Sequence, residues 1–136
     1  MATLATGTAE AASGTTLVTV PADAIGATIQ LDVTSAAAAS GDTLNVYIQG
    51  TTDSVNYNDF ISFTQVLGNG GTKRFTAHWS ALATPTTPLA LNTDGSQTVS
   101  TVTQGPVAKP WRVKWVIAGA TPVFTFTVTA SYVRDE

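Results

Sequence analysis

The sequence predicts an all-β fold, a two-sheet antiparallel sandwich of about eight strands, of the jelly-roll or immunoglobulin kind. Apolar and polar side chains alternate at a period of two in segment after segment, while the 3.6-residue period of an amphipathic helix is almost absent. The alternating segments are short and are separated by Pro, Gly, Asn and Asp, the residues that turns use. The chain is 136 residues long, the usual size of one domain.

Residues 1–14 are rich in Ala, Thr and Gly and have little to bury, so they read as a flexible or partner-ordered N-terminal arm. Residues 15–136 then form a single β-sandwich domain. Thr15 to Val20 is the first strand, stopped by Pro21. Ala27, Ile29, Leu31 and Val33 alternate with Thr28, Gln30, Asp32 and Thr34 in the second. Residues 36–39, four alanines, are too short for a stable helix and read as a connection. Leu44, Val46 and Ile48 mark a third strand, and Asp59 to Leu67 a fourth after a polar turn over Thr51 to Asn58. Gly68-Asn69-Gly70-Gly71 is a turn, because Gly and Asn tolerate positive φ. In the strand Lys73 to Ser80, Phe75, Ala77 and Trp79 share one face, and Arg74, Thr76 and His78 the other. Residues 81–109 form a long loop with Pro85, Pro88 and Pro106, in which Gln97 to Thr103 is a short edge strand. After Pro110, Trp111, Val113, Trp115 and Ile117 form a core face opposite Arg112 and Lys114. The last strand alternates Phe124, Phe126, Val128, Ala130 and Tyr132 with Thr and Ser.

Composition narrows the function classes. There is no Cys, so neither a disulfide nor a thiolate metal site is available. Charged residues are 11% of the chain, well under half of the roughly 25% of ordinary domains. Thr and Ser supply about a quarter of it. A surface of hydroxyls in place of Lys and Glu suits packing against other chains, because charge is depleted at the centres of interfaces. The net charge of −3 and the pI of about 4.8 do not suit nucleic acid, and no apolar run reaches the length of a membrane span. Met1 to Thr6 lacks the basic and continuous apolar regions of a signal peptide.

The chemical inventory is sparse. His78 is the only histidine and lies in phase with Arg74 and Thr76 on the polar side of its strand. Asp53-Ser54-Val55-Asn56-Tyr57-Asn58-Asp59 offers oxygen ligands at short spacing, but it lacks the glycine and bidentate Glu of an EF-hand and reads as a hairpin loop. Glu10 and Glu136 stand at the ends of the chain and the Asp residues at turns, so no carboxylate pair resembles glycosidase machinery. Trp79, Trp111 and Trp115 lie in core phase, whereas a sugar-binding platform would need them exposed. Arg112 and Lys114, together with Arg74, would form a basic strip if their strands were neighbours. No enzyme activity and no cofactor are expected. The candidate interface residues are Leu4, Arg74, His78, Arg112 and Lys114.

Three stretches carry a resemblance to a known group. They are Val46-Tyr47-Ile48-Gln49-Gly50-Thr51-Thr52-Asp53-Ser54, then Asn58-Asp59-Phe60-Ile61-Ser62-Phe63, then Trp111-Arg112-Val113-Lys114-Trp115 with Thr125-Phe126-Thr127-Val128-Thr129-Ala130. Over residues 42–133 the chain resembles the capsid decoration, or cement, proteins of tailed bacteriophages. The resemblance implies a jelly-roll fold and a structural virion protein on the outer surface of the capsid, made in the host cytoplasm. The implied partner is the major capsid protein, with a homo-oligomer, dimer favoured over trimer, and neither nucleic acid nor membrane. A tail or head-fibre module, or a carbohydrate-binding β-sandwich, are the alternative readings.

Overall fold

The computed structural model describes residues 1–36, 39–82 and 92–135. Its ten strands are β1 (Ala2–Glu10), β2 (Gly14–Val18), β3 (Ala24–Ser35), β4 (Thr43–Thr51), β5 (Tyr57–Ser62), β6 (Val66–Leu67), β7 (Lys73–Ser80), β8 (Thr101–Val102), β9 (Trp111–Ala118) and β10 (Phe124–Arg134). No described residue is helical. One sheet, here sheet A, has the order β1-β10-β3-β7; the other, sheet B, has the order β2-β9-β4-β5-β8, with β6 also paired to β4. Every pairing is antiparallel. With the two-residue β6 and β8 set aside, the eight long strands pass back and forth between the sheets at every step except the β4–β5 hairpin, which is the double Greek-key order of a jelly roll.

The alternation read from sequence is what builds the core. Ile29, Leu31 and Val33 of β3, Phe124, Phe126 and Val128 of β10, and Trp111 and Val113 of β9 are all fully buried between the sheets. At one end Trp79 and Trp111 meet edge to face at 4.9 Å, and Phe60 packs at a tilt against Trp111 at 4.7 Å. Trp115 meets Phe126 from the opposite sheet at 5.6 Å. Such pairs add directional preference to the burial of large apolar surface.

Residues 1–14 do not hang free. Residues 2–10 are β1, paired with β10, and Leu4 and Ala5 are both buried because the register shifts between Thr3 and Ala5. The segment is held by main-chain pairing and by glycines rather than by bulky side chains. A Cβ on Gly7 would stand 2.5 Å from Phe126 Cε1, and one on Gly14 would stand 2.5 Å from Trp115 Cζ2. Only glycine lets the backbone approach those rings so closely.

The stretch read as one strand from Asp59 to Leu67 is two, β5 and β6, interrupted at Phe63-Thr64-Gln65. The strand expected at Gln97 to Thr103 is reduced to Thr101–Val102, paired with Ile61 and Ser62. Part of the long loop, residues 83–91, lies outside the described residues.

Candidate interaction surfaces

The β9, β4 and β5 part of the outer face of sheet B is covered by its own chain, while Leu17 and Thr15 of β2 stay exposed. Register places Leu17, Arg112, Gln49 and Asp59 in one row across the sheet, and Thr15, Lys114, Tyr47 and Ser62 in the next. The segment 92–102 folds over the β9, β4 and β5 members of these rows. Asp59, almost fully buried, accepts the main-chain N–H groups of Gly95 (3.0 Å), Ser96 (2.8 Å) and Gln97 (2.9 Å), and the Gln49 amide at 2.6 Å. Asp94 accepts from Gln49 Nε2 (2.6 Å), Arg112 Nη2 (2.9 Å) and Lys114 Nζ (2.7 Å). Arg112 Nε donates to Gln49 Oε1 at 2.6 Å, and its guanidinium lies 3.7 Å above the Tyr57 ring. Partial burial works against the charge of Asp94, but Lys114, Gln49 and Arg112 outweigh it and hold the carboxyl below its usual range. Burial, with the nearby Asp59 charge, raises the Tyr47 hydroxyl.

This network overturns the expected basic strip. Arg112 and Lys114 have side chains only 18% and 24% exposed, both turned onto Asp94. Arg74 lies in the other sheet, on β7, and pairs with Asp32 at 2.6 Å. Strand phase correctly put Arg112 and Lys114 opposite the core. It could not show that a loop residue nearly twenty positions upstream returns to neutralise them. Asp94 and Gln97 carry no sequence signal for this role; Asp59 closes the acidic stretch read as a hairpin loop, and Gln49 shares an outward phase with Tyr47, which is a usable signal.

The outer face of sheet A is different. Its rows are Thr3, Thr129, Gln30 and Thr76; then Thr6, Thr127, Asp32 and Arg74; then Ser131, Thr28 and His78. All eleven are exposed or half-exposed. Partial burial opposes ionisation of Asp32, but the Gln30 amide and the Arg74 guanidinium outweigh it and hold its carboxyl below the usual range. His78 Nδ1 shares a hydrogen bond with Thr28 Oγ1 at 3.1 Å. His78 and Arg74 therefore stand together on this face, whereas Leu4 is buried in the core and cannot serve as a contact residue there.

The remaining candidates resolve locally. The Asp53 carboxylate accepts from the Val55 and Asn56 N–H groups, the Asn56 amide and the Thr51 hydroxyl, and the first two of these chiefly hold it far below its usual range. That is an Asx-type turn. Among the described residues no three His, Cys, Asp or Glu side chains gather as metal ligands. Trp79, Trp111 and Trp115 are all buried, as core phase required. A cleft of about 280 Å³ lies beside the ends of β4 and β5, walled by Gly50, Phe60, Gly105, Pro106 and Val107. No known family, curated protein or solved structure matches the chain.

Proposed function

We propose that this protein is a non-enzymatic structural component of a tailed-phage virion, a decoration protein that binds the outer surface of the head and cements joints between major capsid proteins. The supporting observation is the outer face of sheet A, an array made mostly of hydroxyl side chains in which Arg74 and Asp32 neutralise each other. Such a face suits a broad, partly wet contact with another protein.

The other surfaces favour this face by their construction. The outer face of sheet B is occupied by segment 92–102 over β9, β4 and β5, which leaves only its β2 margin open. The β7 edge is capped where Gln104 Nε2 donates to His78 O, Gln104 Oε1 accepts from Ser80 N and Gly105 N donates to Ser80 O. The β1 edge is interrupted by two register shifts. Bulged and capped edges discourage strand addition, which leaves a face as the docking surface.

A protein that binds only the assembled shell stabilises it by mass action, about 2.7 kcal/mol per site at a hundredfold excess over Kd. Gold-labelled antibody against this chain, applied to particles from the lysate in which it is made, tests the reading. Label distributed over the shell is expected. Label confined to tails or fibres would select the tail or fibre alternative, and unlabelled particles would refute a virion role.

A further inference from the structure

We infer that residues 1–18 form an exchangeable clip, and that the trough they fill is a docking site for the same residues of a second copy of this chain. The inference is independent of the virion reading and rests on where these residues pair. β1 is an edge strand of sheet A and bonds only to β10; β2 is an edge strand of sheet B and bonds only to β9. The two strands lie against each other on one side of the sandwich, so residues 1–18 close that side across both sheets. The crossing segment between them is tied to the same side: Trp115 Nε1 donates to Ala12 O, and Ser13 Oγ accepts from Ile117 N.

Every one of these contacts is made to β9 and β10, which are joined to β4 and β3 without help from the clip. The receiving trough is shaped by Trp115 and Phe126, over which Gly7 and Gly14 lie without side chains of their own. Its occupant must be this glycine-bearing segment, because any Cβ at those two points would collide with a ring. A second copy supplies that segment.

The tether is residues 19–23, and it is short. It must carry the chain from the edge of sheet B to β3, two strands in from the edge of sheet A. That displacement is about 14 Å, from two strand spacings of roughly 5 Å and a sheet separation of roughly 10 Å, against about 20 Å of extended chain. Part of that length is spent in the turn closed by Ala24 N donating to Pro21 O. Lys109 Nζ holds the tether in this path by bonding Pro21 O and Ala22 O. Closed and exchanged forms share all clip contacts and differ in the tether, and a short tether with little slack left after its turn favours exchange.

Thr3 and Thr129 are direct partners on the outer face of sheet A and are not core residues. A copy carrying Thr3→Cys is mixed with a copy carrying Thr129→Cys at high concentration in sub-denaturing urea. The mixture is returned to buffer and oxidised. Exchange places the two thiols together only between unlike copies, so the mixed disulfide dimer should clearly exceed both like-with-like dimers combined. Random collision gives the mixed species at most half of the total. That result, or no covalent dimer, would overturn the inference. The unsubstituted protein carried through the same cycle should show a dimer mass by light scattering, and a wholly monomeric mass would count against it equally.

Discussion

Asp59→Asn tests whether segment 92–102 is held by a carboxylate rather than by its own turn preferences. The wild-type carboxylate divides its work evenly: Oδ1 takes Gln49 Nε2 and Gly95 N, and Oδ2 takes Ser96 N and Gln97 N. The substituted amide keeps one oxygen and turns the other position into a donor. Whichever way it is oriented, two donors lose their acceptor and face an N–H group instead. A donor stripped of its partner in a buried site costs about 1–3 kcal/mol, which puts the loss for two at about 2–6 kcal/mol. The lower end applies if the segment detaches and its amides reach water. Urea unfolding should then show a lower midpoint, and hydrogen exchange at Gly95, Ser96 and Gln97 should accelerate well before the strands open. A midpoint equivalent to less than about 0.5 kcal/mol of change, with unaltered exchange at those three amides, would refute the reasoning.

Three further outcomes are expected. Gly14→Ala places a methyl group against Trp115 and should cost about 1–3 kcal/mol by overpacking, read as a lower thermal midpoint. Asp32 and Asp94 have carboxyls held below 3.8 in the folded state, so their contribution is present above about pH 4 and is lost as pH falls further. Tyr47 and Tyr132 are raised above 10.0 by burial, so stability should also decline as pH rises past about 10; a flat thermal midpoint at both extremes would contradict this. Thr129→Arg sets a long cation in the centre of the sheet A face, where it should abolish particle binding yet change stability by no more than about 0.5 kcal/mol.

The fold was legible because its information is local. Residues 27–33 of β3, 111–115 of β9 and 124–130 of β10 each alternate, and burial follows that alternation residue by residue. β1 was not legible for a physical reason. Its stabilising contacts are main-chain bonds to β10 and the close approach at Gly7, and its two buried side chains, Leu4 and Ala5, are adjacent across a register shift and so leave no alternating signature. The polar layer over sheet B was half legible. Outward phase identified Arg112 and Lys114, but their meaning depends on Asp94, and a loop's return path is fixed by tertiary contacts rather than by periodicity. The acidic stretch at residues 53–59 proved to contain two unrelated devices, with Asp53 closing a local turn and Asp59 anchoring a distant segment.

The tryptophans allow a sharper test of how much a single buried hydrogen bond contributes to this core. Trp79 and Trp111 are adjacent, both buried, and Trp111 is the more completely enclosed of the two. Burial alone would make Trp111→Phe the costlier change. Their indole N–H groups differ, however. Trp79 Nε1 donates to Gly105 O at 2.9 Å and so ties the 103–108 segment to the core, whereas Trp111 Nε1 has no acceptor among the described residues. Both replacements remove the same ring atoms and leave similar cavities. Trp79→Phe additionally strands a buried carbonyl, while Trp111→Phe removes a donor that was already unpaired. With an unmet buried polar group costing about 1–3 kcal/mol, the order inverts, and Trp79→Phe should be the more destabilising by roughly that amount. Parallel urea titrations decide it: a Trp111→Phe protein less stable than Trp79→Phe would mean that enclosure, not hydrogen bonding, sets the energetics at this end of the sandwich.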